Sequence, residues 1–203
     1  MPKGFLTEPG KAALAGAIAA VENASSVEVV VAIRRRSRIW VHAHVLVGVV
    51  TALAASAYML FSDTDFSLTS IWIDPFLVGL GAGLLSTLFP PLVRALTPRG
   101  WRQRACTAAA AATFLERGVH GTSGRTGVLV YVSLIDQVAI VIADAGVTKV
   151  WEPGQLQRAQ QALTAASAES AEALAKVIAG WTDEFAALVP RASADVNELP
   201  DAI

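Results

Sequence analysis

Two long apolar segments within residues 39–97 constrain the fold of this chain more than any other feature. The first, 40–61, has no charged side chain over about 22 positions, which as a helix rising 1.5 Å per residue would extend for about 33 Å. The second, 73–96, contains an uncharged run of about 18 residues, near the minimum length for a membrane span. We therefore predict a transmembrane helical hairpin joined by a polar loop at 62–70. A buried helical hairpin in a soluble protein is the alternative.

The arginines around these segments predict how the hairpin is oriented. The loop at 62–70 contains aspartate but no basic residue, whereas arginines cluster before the first segment and around the end of the second: Arg34, Arg35, Arg36, Arg38, Arg94, Arg99, Arg102 and Arg104. By the positive-inside rule, we expect a multi-pass protein of a bacterial inner membrane with both termini cytoplasmic. Residues 1–10 have no apolar core, so the first span is expected to act as an uncleaved anchor. The arginine-rich flanks are also predicted to contact anionic lipid.

Composition excludes several classes of function. The formal net charge is −1, so there is no basic excess of the kind that binds nucleic acid, and we expect no nucleic-acid partner. Cys106 is the only cysteine, which excludes an intrachain disulfide and a cysteine metal site. About 145 residues lie outside the hairpin, enough for one modest domain.

The segments outside the hairpin predict a layered α/β domain. Thr7 is placed to cap a first helix, and the β-branched run at 27–33 is typical of a strand covered on both faces. The other predicted elements are a helix at 102–117, strands at 127–134 and 138–143, and helices at 155–166 and 171–189. The hairpin is therefore an insertion between the first strand and the next helix. The predicted divisions of the chain are 1–38, 39–97, 98–190 and a polar tail at 191–203.

Three stretches of the sequence resemble bacterial TPM-domain membrane proteins. The central one, GVHGTSGRTGVLVYVSLIDQVAIVIADAGV, has the family's loop with His, Thr and Arg-Thr-Gly, followed by a strand hairpin that ends in Asp-x-Gly. The opening FLTEPGKAALAGAIAAVENASSVEVVVAI and the Asn-Glu-Leu-Pro sequence at 197–200 are similar to the same family. The resemblance implies a TPM-like α/β/α sandwich with a two-helix transmembrane hairpin inserted after the first strand.

The same resemblance bears on function, because the wider family includes chloroplast acid phosphatases and photosystem II repair proteins. In this chain, the charged Glu-Arg-x-Val-Glu stretch of the family is replaced by residues 136–140, Asp-Gln-Val-Ala-Ile, and an arginine of the family is replaced by Ala145. These losses favour a non-catalytic accessory, assembly or stabilising subunit of a larger membrane complex, photosynthetic or respiratory. The alternative is a membrane-anchored phosphatase that faces the cytoplasm.

One group of polar residues could carry chemistry. If Ser133 pairs with Val138 across the strand hairpin, Asp144 lies near Arg125, with His120 in the same loop. Together these three side chains could bind phosphate or help to position a divalent cation. An Arg125–Asp144 ion pair that locks the loop is the other interpretation, and structural ion pairs are commoner than sites.

Glu28 could join this group if the start of the first strand is adjacent, although a glutamate beside a strand is more often simply solvated. The sequence has no metal-ligand spacing, nucleotide-binding loop or nucleophile motif, so we expect neither a metal nor a cofactor.

His42 and His44 stand at the start of the first span. Histidines within a membrane can ligate haem or pigment, but residues two positions apart point to different faces of a helix and cannot form one site. The alternative is that both side chains lie at the membrane interface.

Small residues recur at fourfold spacing on both spans: Gly48, Ala52 and Ser56 on the first, Gly79 and Gly83 on the second. Such faces let helices approach closely, either to a partner protein or to each other within the hairpin.

Overall fold

The computed structural model describes residues 4–5, 7–192 and 198–199 and divides the chain into two compact units. One unit runs from Arg38 to Trp101, and the other combines the chain before it with the chain from Arg102 onward. The fold is mixed α/β. The helices are α1 (Glu8–Ala24), α2 (Val41–Phe61), α3 (Leu68–Leu85), α4 (Pro90–Ala95), α5 (Arg99–Glu116), α6 (Ala145–Thr148), α7 (Pro153–Glu169), α8 (Ala171–Ala179) and α9 (Thr182–Leu188).

A three-stranded sheet forms the centre of the larger unit. Its strands are β1 (Glu28–Arg34), β2 (Gly127–Ser133) and β3 (Val138–Ala143), in that order across the sheet. β1 pairs with β2 in parallel, and β2 pairs with β3 in an antiparallel hairpin. The three predicted strands are confirmed, with the first beginning one residue later than predicted.

The larger of two hydrophobic cores lies on one face of the sheet. Val29, Val31, Val128 and Val130 point into it, together with buried residues of α1, α7, α8 and α9. Alternate residues of the same strands point to the other face, because successive side chains in a strand project to opposite sides. Both faces are therefore covered, which explains why the strands read as continuous apolar runs.

The smaller core lies on the opposite face and is covered by α5. Cys106 and Ala110 of that helix pack with Val30, Leu129 and other strand residues.

The structure confirms the start of the first predicted helix and divides the last predicted helix in two. The Thr7 side chain accepts a hydrogen bond from the N–H of Gly10 at 3.3 Å, so the predicted N-cap of α1 is confirmed. The predicted helix at 171–189 is instead divided into α8 and α9 around Gly180, a residue that disfavours helix interiors. Trp181 and Phe185 remain buried, so the apolar stripe still packs into the core.

The smaller unit contains two helices that are long and apolar enough to cross a membrane. They are Val41–Phe61, with a mean hydropathy of 1.9, and Leu68–Leu88, with a mean hydropathy of 1.6. The second begins five residues earlier than the predicted 73, because Ser67 caps it by accepting a hydrogen bond from the N–H of Ser70 at 3.1 Å. The helix is interrupted before Pro90, which opens α4, so the predicted span to 96 is too long at that end.

Candidate functional site

The loop between α5 and β2 forms the polar end of the sheet. α5 is followed by Gly118 with φ +67°, a left-handed conformation that glycine adopts without strain. Further along, the N–H of Arg125 donates to the carbonyl of Thr122 at 2.9 Å, and the N–H of Thr126 donates to the Thr122 hydroxyl at 2.9 Å. Arg125 itself has φ +52°. Thr122 therefore fixes the turn that directs the Arg125 side chain.

Arg125 and Asp144 form a bidentate ion pair. Nη2 of Arg125 lies 2.9 Å from Oδ1 of Asp144, and Nε lies 3.3 Å from Oδ2. The sequence-predicted register is confirmed, since Ser133 pairs with Val138 and the N–H of Asp144 donates to the carbonyl of Gly127 at 2.9 Å. The carboxylate also accepts from the N–H of Ala145 at 2.6 Å and so caps α6. Both of its oxygens are thus used in holding the loop and the start of α6.

The environment of Asp144 lowers its pKa. Burial alone would raise the pKa, since only 5% of the residue is exposed, but the hydrogen bonds from Arg125 and Ala145 and the charges of Arg125 and His120 outweigh it. The ionised form is therefore the one that the folded protein holds. His120 lies close enough to act on this carboxylate, while its ring stands 6.3 Å from that of Phe114.

Glu28 and Asp144 stand at the same end of the sheet but are separated by the loop. Gly127 pairs with Glu28 on one side and bonds to Asp144 on the other. A Cβ at position 127 would collide with the carbonyl oxygen of Val119, so the Val119–Gly121 turn crosses directly over this glycine. The two carboxylates consequently face different surroundings. Among the described residues, no group of three or more His, Cys, Asp or Glu side chains could hold a metal ion.

Glu28 is buried and belongs to a separate contact with the C-terminal tail. Only 8% of the residue is exposed, so the expectation of a simply solvated glutamate is wrong. Its Oε1 accepts a hydrogen bond from the N–H of Glu198 at 2.6 Å. The carboxylate of Glu198 in turn accepts from Ser123, through the N–H at 2.9 Å and through the hydroxyl at 2.6 Å. Asn197 and Pro200, which belong to the family-like ending, lie outside the described residues.

A second polar cluster, which the sequence reasoning missed, surrounds Asp136 in the turn between β2 and β3. Oδ2 of Asp136 accepts from the Ser133 hydroxyl at 2.6 Å and from the N–H of Ser37 at 3.1 Å. The main-chain carbonyl of Asp136 accepts from Nη1 of Arg102 at 2.5 Å. Ser37 and Arg102 are the residues that border the inserted unit, so one turn holds both of its connections. The signal in the sequence was Asp136 itself, a charged residue between two apolar strands.

The same cluster includes a buried thiol and a buried phenol. The Ser37 hydroxyl lies 3.2 Å from Sγ of Cys106 and 3.0 Å from the hydroxyl of Tyr131. Burial raises the pKa of the Cys106 thiol, and the nearby charge of Asp136 raises it further against the hydrogen bond from Ser37. Burial likewise raises the pKa of Tyr131. Both groups are therefore held protonated at neutral pH, and the thiol is not activated for nucleophilic chemistry.

The two histidines of α2 make different contacts within the smaller unit. Nδ1 of His44 lies 2.6 Å from the hydroxyl of Ser86, which itself donates to the carbonyl of Gly83. The His42 ring stands 5.3 Å from Trp101 and 5.9 Å from Trp40, measured between centroids. Neither contact brings the two imidazoles to one site.

The small residues of α2 and α3 face each other. A Cβ at Gly79 would lie 2.6 Å from the Gly48 carbonyl oxygen and 2.8 Å from Cβ of Ala52, and one at Gly83 would lie 3.1 Å from the carbonyl oxygen of His44. Ser56 is half-buried further along α2. The glycines are thus used in packing the hairpin against itself.

The outer surface of this helix pair is apolar. Among the described residues, the exposed large hydrophobic side chains all lie between Ile39 and Trp101, except Leu115 and Leu188. Phe61 is 87% exposed and Leu80 is 64% exposed. A surface of this kind is unfavourable in water and suits lipid or another apolar surface.

Comparison with known proteins supports the fold alone. No protein-family model matches the sequence, and no curated protein matches it. The chain is similar in fold to the NMR structure of the BA42 protein from the psychrophilic bacterium Bizionia argentinensis, with a TM-score of 0.59 and 17% sequence identity. The match covers 99% of this chain and 95% of the BA42 chain.

Proposed function

We propose that this protein is a membrane-anchored, TPM-like interaction protein and a non-catalytic accessory, assembly or stabilising subunit of a larger membrane complex. The observation that carries the proposal is the apolar outer surface of α2 and α3, which remains after the two helices have packed on each other. In water, so many exposed large side chains would favour aggregation, whereas in a bilayer they can contact lipid and neighbouring helices. A photosynthetic or respiratory complex is the first candidate partner, by analogy with the proteins that the sequence resembles.

The TPM-like part of the proposal has two kinds of support. The order of elements, with the helical hairpin between β1 and α5 and core residues on both faces of the sheet, agrees with an α/β/α sandwich. The central and opening segments of the sequence resemble the family. The likeness to BA42 supports the same general fold and carries nothing about activity.

The shape of the helix pair is compatible with a further apolar contact. A groove with a volume of about 540 Å³ runs along it, lined almost wholly by apolar side chains such as Val49, Leu53, Phe76 and Leu80. Lipid chains or a helix of another subunit could fill this groove. In a membrane complex, the groove would be covered by either of them.

Blue-native electrophoresis of gently solubilised membranes tests the subunit proposal. We expect the protein to migrate with a large complex and to shift when that complex is deleted. Migration only as a free monomer, unchanged by the presence or deletion of other membrane complexes, would contradict it.

The proposed orientation places both termini in the cytoplasm, with the polar connection at 62–67 outside. It is supported by the arginine distribution around the two helices. Single cysteines introduced at 64 and at 192, with Cys106 replaced by serine, can be labelled in intact cells by a membrane-impermeant maleimide. We expect labelling at 64 only, and external labelling at 192 would overturn this orientation.

A cytoplasm-facing phosphatase is the second candidate. The observation in its favour is that His120, Arg125 and Asp144 are close together at one end of the sheet. Against it, Arg125 and the Ala145 N–H engage both oxygens of Asp144, which leaves this carboxylate poorly placed to attack phosphorus.

A further inference from the structure

The chain after α9 lies beside Ser26, two residues before β1. The N–H of Ser26 donates to the carbonyl of Val189 at 3.1 Å, and the N–H of Ala192 donates to the hydroxyl of Ser26 at 3.0 Å. The next described residue, Glu198, lies against Glu28 and Ser123. Glu198 therefore lies at the polar end of the sheet, beside the loop between α5 and β2.

Glu198 is recognised through both its side chain and its main chain. Ser123 binds the two carboxylate oxygens separately, the N–H to Oε2 and the hydroxyl to Oε1. The main-chain N–H of Glu198 donates to the buried carboxylate of Glu28. Hydrogen bonds to an ionised carboxylate are stronger than neutral ones, and the two from Ser123, together with the bond from the Glu198 N–H to Glu28, also fix the orientation of Glu198.

Leu199 provides a second, independent contact. Its side chain is partly buried against the α5 face of the sheet, in the cluster that includes Phe114 and Ile142. A polar contact at one position and an apolar contact at the next are compatible with recognition of a short peptide segment.

A cavity of about 400 Å³ adjoins the bound tail. It is lined by residues from three parts of the chain, including Ser26, Glu28, Thr126 and Val189, and Glu198 also lines it. Its lining combines polar side chains such as Glu28 and Thr126 with apolar ones such as Val189, as expected for a surface that receives a peptide rather than a purely apolar ligand.

We propose that Ser123, Glu28 and the apolar cluster around Phe114 form a recognition site for a glutamate–leucine peptide motif, which the chain fills with its own Glu198 and Leu199. The bound Glu198–Leu199 pair is an intramolecular ligand, and a separate peptide that carries the same acidic and aliphatic pair can take its place. The site is distinct from the Arg125–Asp144 pair, from which the Val119–Gly121 turn separates Glu28.

The bound tail should weaken the binding of a competing peptide by a predictable factor. A short tether gives the tail an effective concentration in the millimolar range, so a peptide that binds the vacated site with a Kd of about 100 μM should bind the wild type about tenfold more weakly. The proposal does not depend on the membrane role suggested for the helical unit, since every contact lies outside that unit.

Fluorescence anisotropy with a labelled peptide of residues 193–203 tests the site in the full-length protein in detergent. We expect the peptide to bind the variant E198A/L199A about tenfold more tightly than the wild type. Adding Ser123→Ala to that variant should weaken binding several-fold, whereas adding Thr107→Ala, which removes an exposed hydroxyl from α5, should leave it unchanged. A peptide with glutamine and alanine at the positions of Glu198 and Leu199 should bind at least tenfold more weakly.

Circular dichroism of each variant establishes that it is folded, so that a loss of binding can be assigned to the site. Equal affinity of the peptide for the wild type and for E198A/L199A would overturn the proposal. So would an absence of binding to a folded E198A/L199A variant, or equal binding of the altered peptide.

Discussion

The Arg125–Asp144 pair shows one residue holding structure at a place where the sequence left two interpretations open, a binding site and a structural ion pair. The main-chain N–H of Asp144 donates to Gly127 at the end of the strand pair, while its ionised carboxylate caps α6 and holds the loop turn through Arg125. Nearby, Gly146 allows the loop to approach α6, because a Cβ there would lie 2.5 Å from the carbonyl oxygen of Gly124. The pair is therefore the connection between the loop and the sheet end.

Replacing Arg125 should destabilise the domain in a pH-dependent way. The Arg125→Gln variant leaves Asp144 buried without its cation, and we expect a loss of about 1–2 kcal/mol in the free energy of unfolding at neutral pH, below the figure for a fully buried pair because the guanidinium side is 61% exposed. Because folding lowers the pKa of Asp144, the stabilisation is present above its unfolded pKa and is lost as the pH falls through its folded pKa. The difference between wild type and variant should therefore shrink in acid.

Urea unfolding in mild detergent, followed by tryptophan fluorescence at neutral and acidic pH, measures this effect. Arg158→Gln removes an exposed arginine from α7 and provides the matched control, with little expected change. A loss for Arg125→Gln that is as large in acid as at neutral pH would contradict the linkage to Asp144.

The pure protein should have little or no phosphatase activity. Asp144 is engaged by Arg125 and Ala145, and the buried Cys106 is held as a thiol, so neither is a ready nucleophile. Turnover of p-nitrophenyl phosphate by purified protein is the measurement. Activity that disappears in Asp144→Ala, while Arg158→Gln retains it, would show that the site is catalytic after all.

At the scale of elements, periodicity and turn residues predicted most of the fold. The strands, the cap at Thr7 and the Ser133–Val138 register follow from local patterns that the tertiary structure does not override. The break between α8 and α9 was missed because the apolar stripe continues through it, and only the Gly180 position signals it. Contacts between distant residues, such as Ser123 with Glu198 or Ser37 with Asp136, depend on where the chain returns, which no local pattern specifies.

Close packing of α2 and α3 should depend on Gly79 and not on Gly81. A Cβ at Gly79 would lie 2.6 Å from a carbonyl oxygen of α2, whereas one at Gly81 meets nothing within 4 Å. Gly79→Ala should therefore push the helices apart or strain them, at a cost of about 1–3 kcal/mol. Thermal unfolding in detergent, followed by circular dichroism, should show a lower melting temperature for Gly79→Ala and a wild-type value or higher for Gly81→Ala. Equal effects of the two substitutions would argue against close approach at Gly79.

At the scale of the whole molecule, the two units differ in how many large apolar side chains they expose. The unit from Arg38 to Trp101 exposes large apolar side chains, whereas the described part of the unit built on the sheet exposes few, among them Leu115 and Leu188. The sheet, its two cores and the contact with the tail are all completed by residues outside the inserted segment. Each unit therefore holds the residues that its own packing needs.

The turn at Asp136 has a consequence for how such a chain could arise and be re-engineered. It binds Ser37 and Arg102, and Ser37 also touches Cys106, one helical turn or about 6 Å along α5 from Arg102. The residues on either side of the insertion, Ser37 and Arg102, therefore lie close together. Removal of the intervening 64 residues would leave only a short distance for a linker to span. A chain in which a linker of about five glycine and serine residues replaces 38–101 should be monomeric in water without detergent and melt cooperatively. Aggregation or non-cooperative melting of this shortened chain would show that the unit built on the sheet needs residues 38–101 to fold.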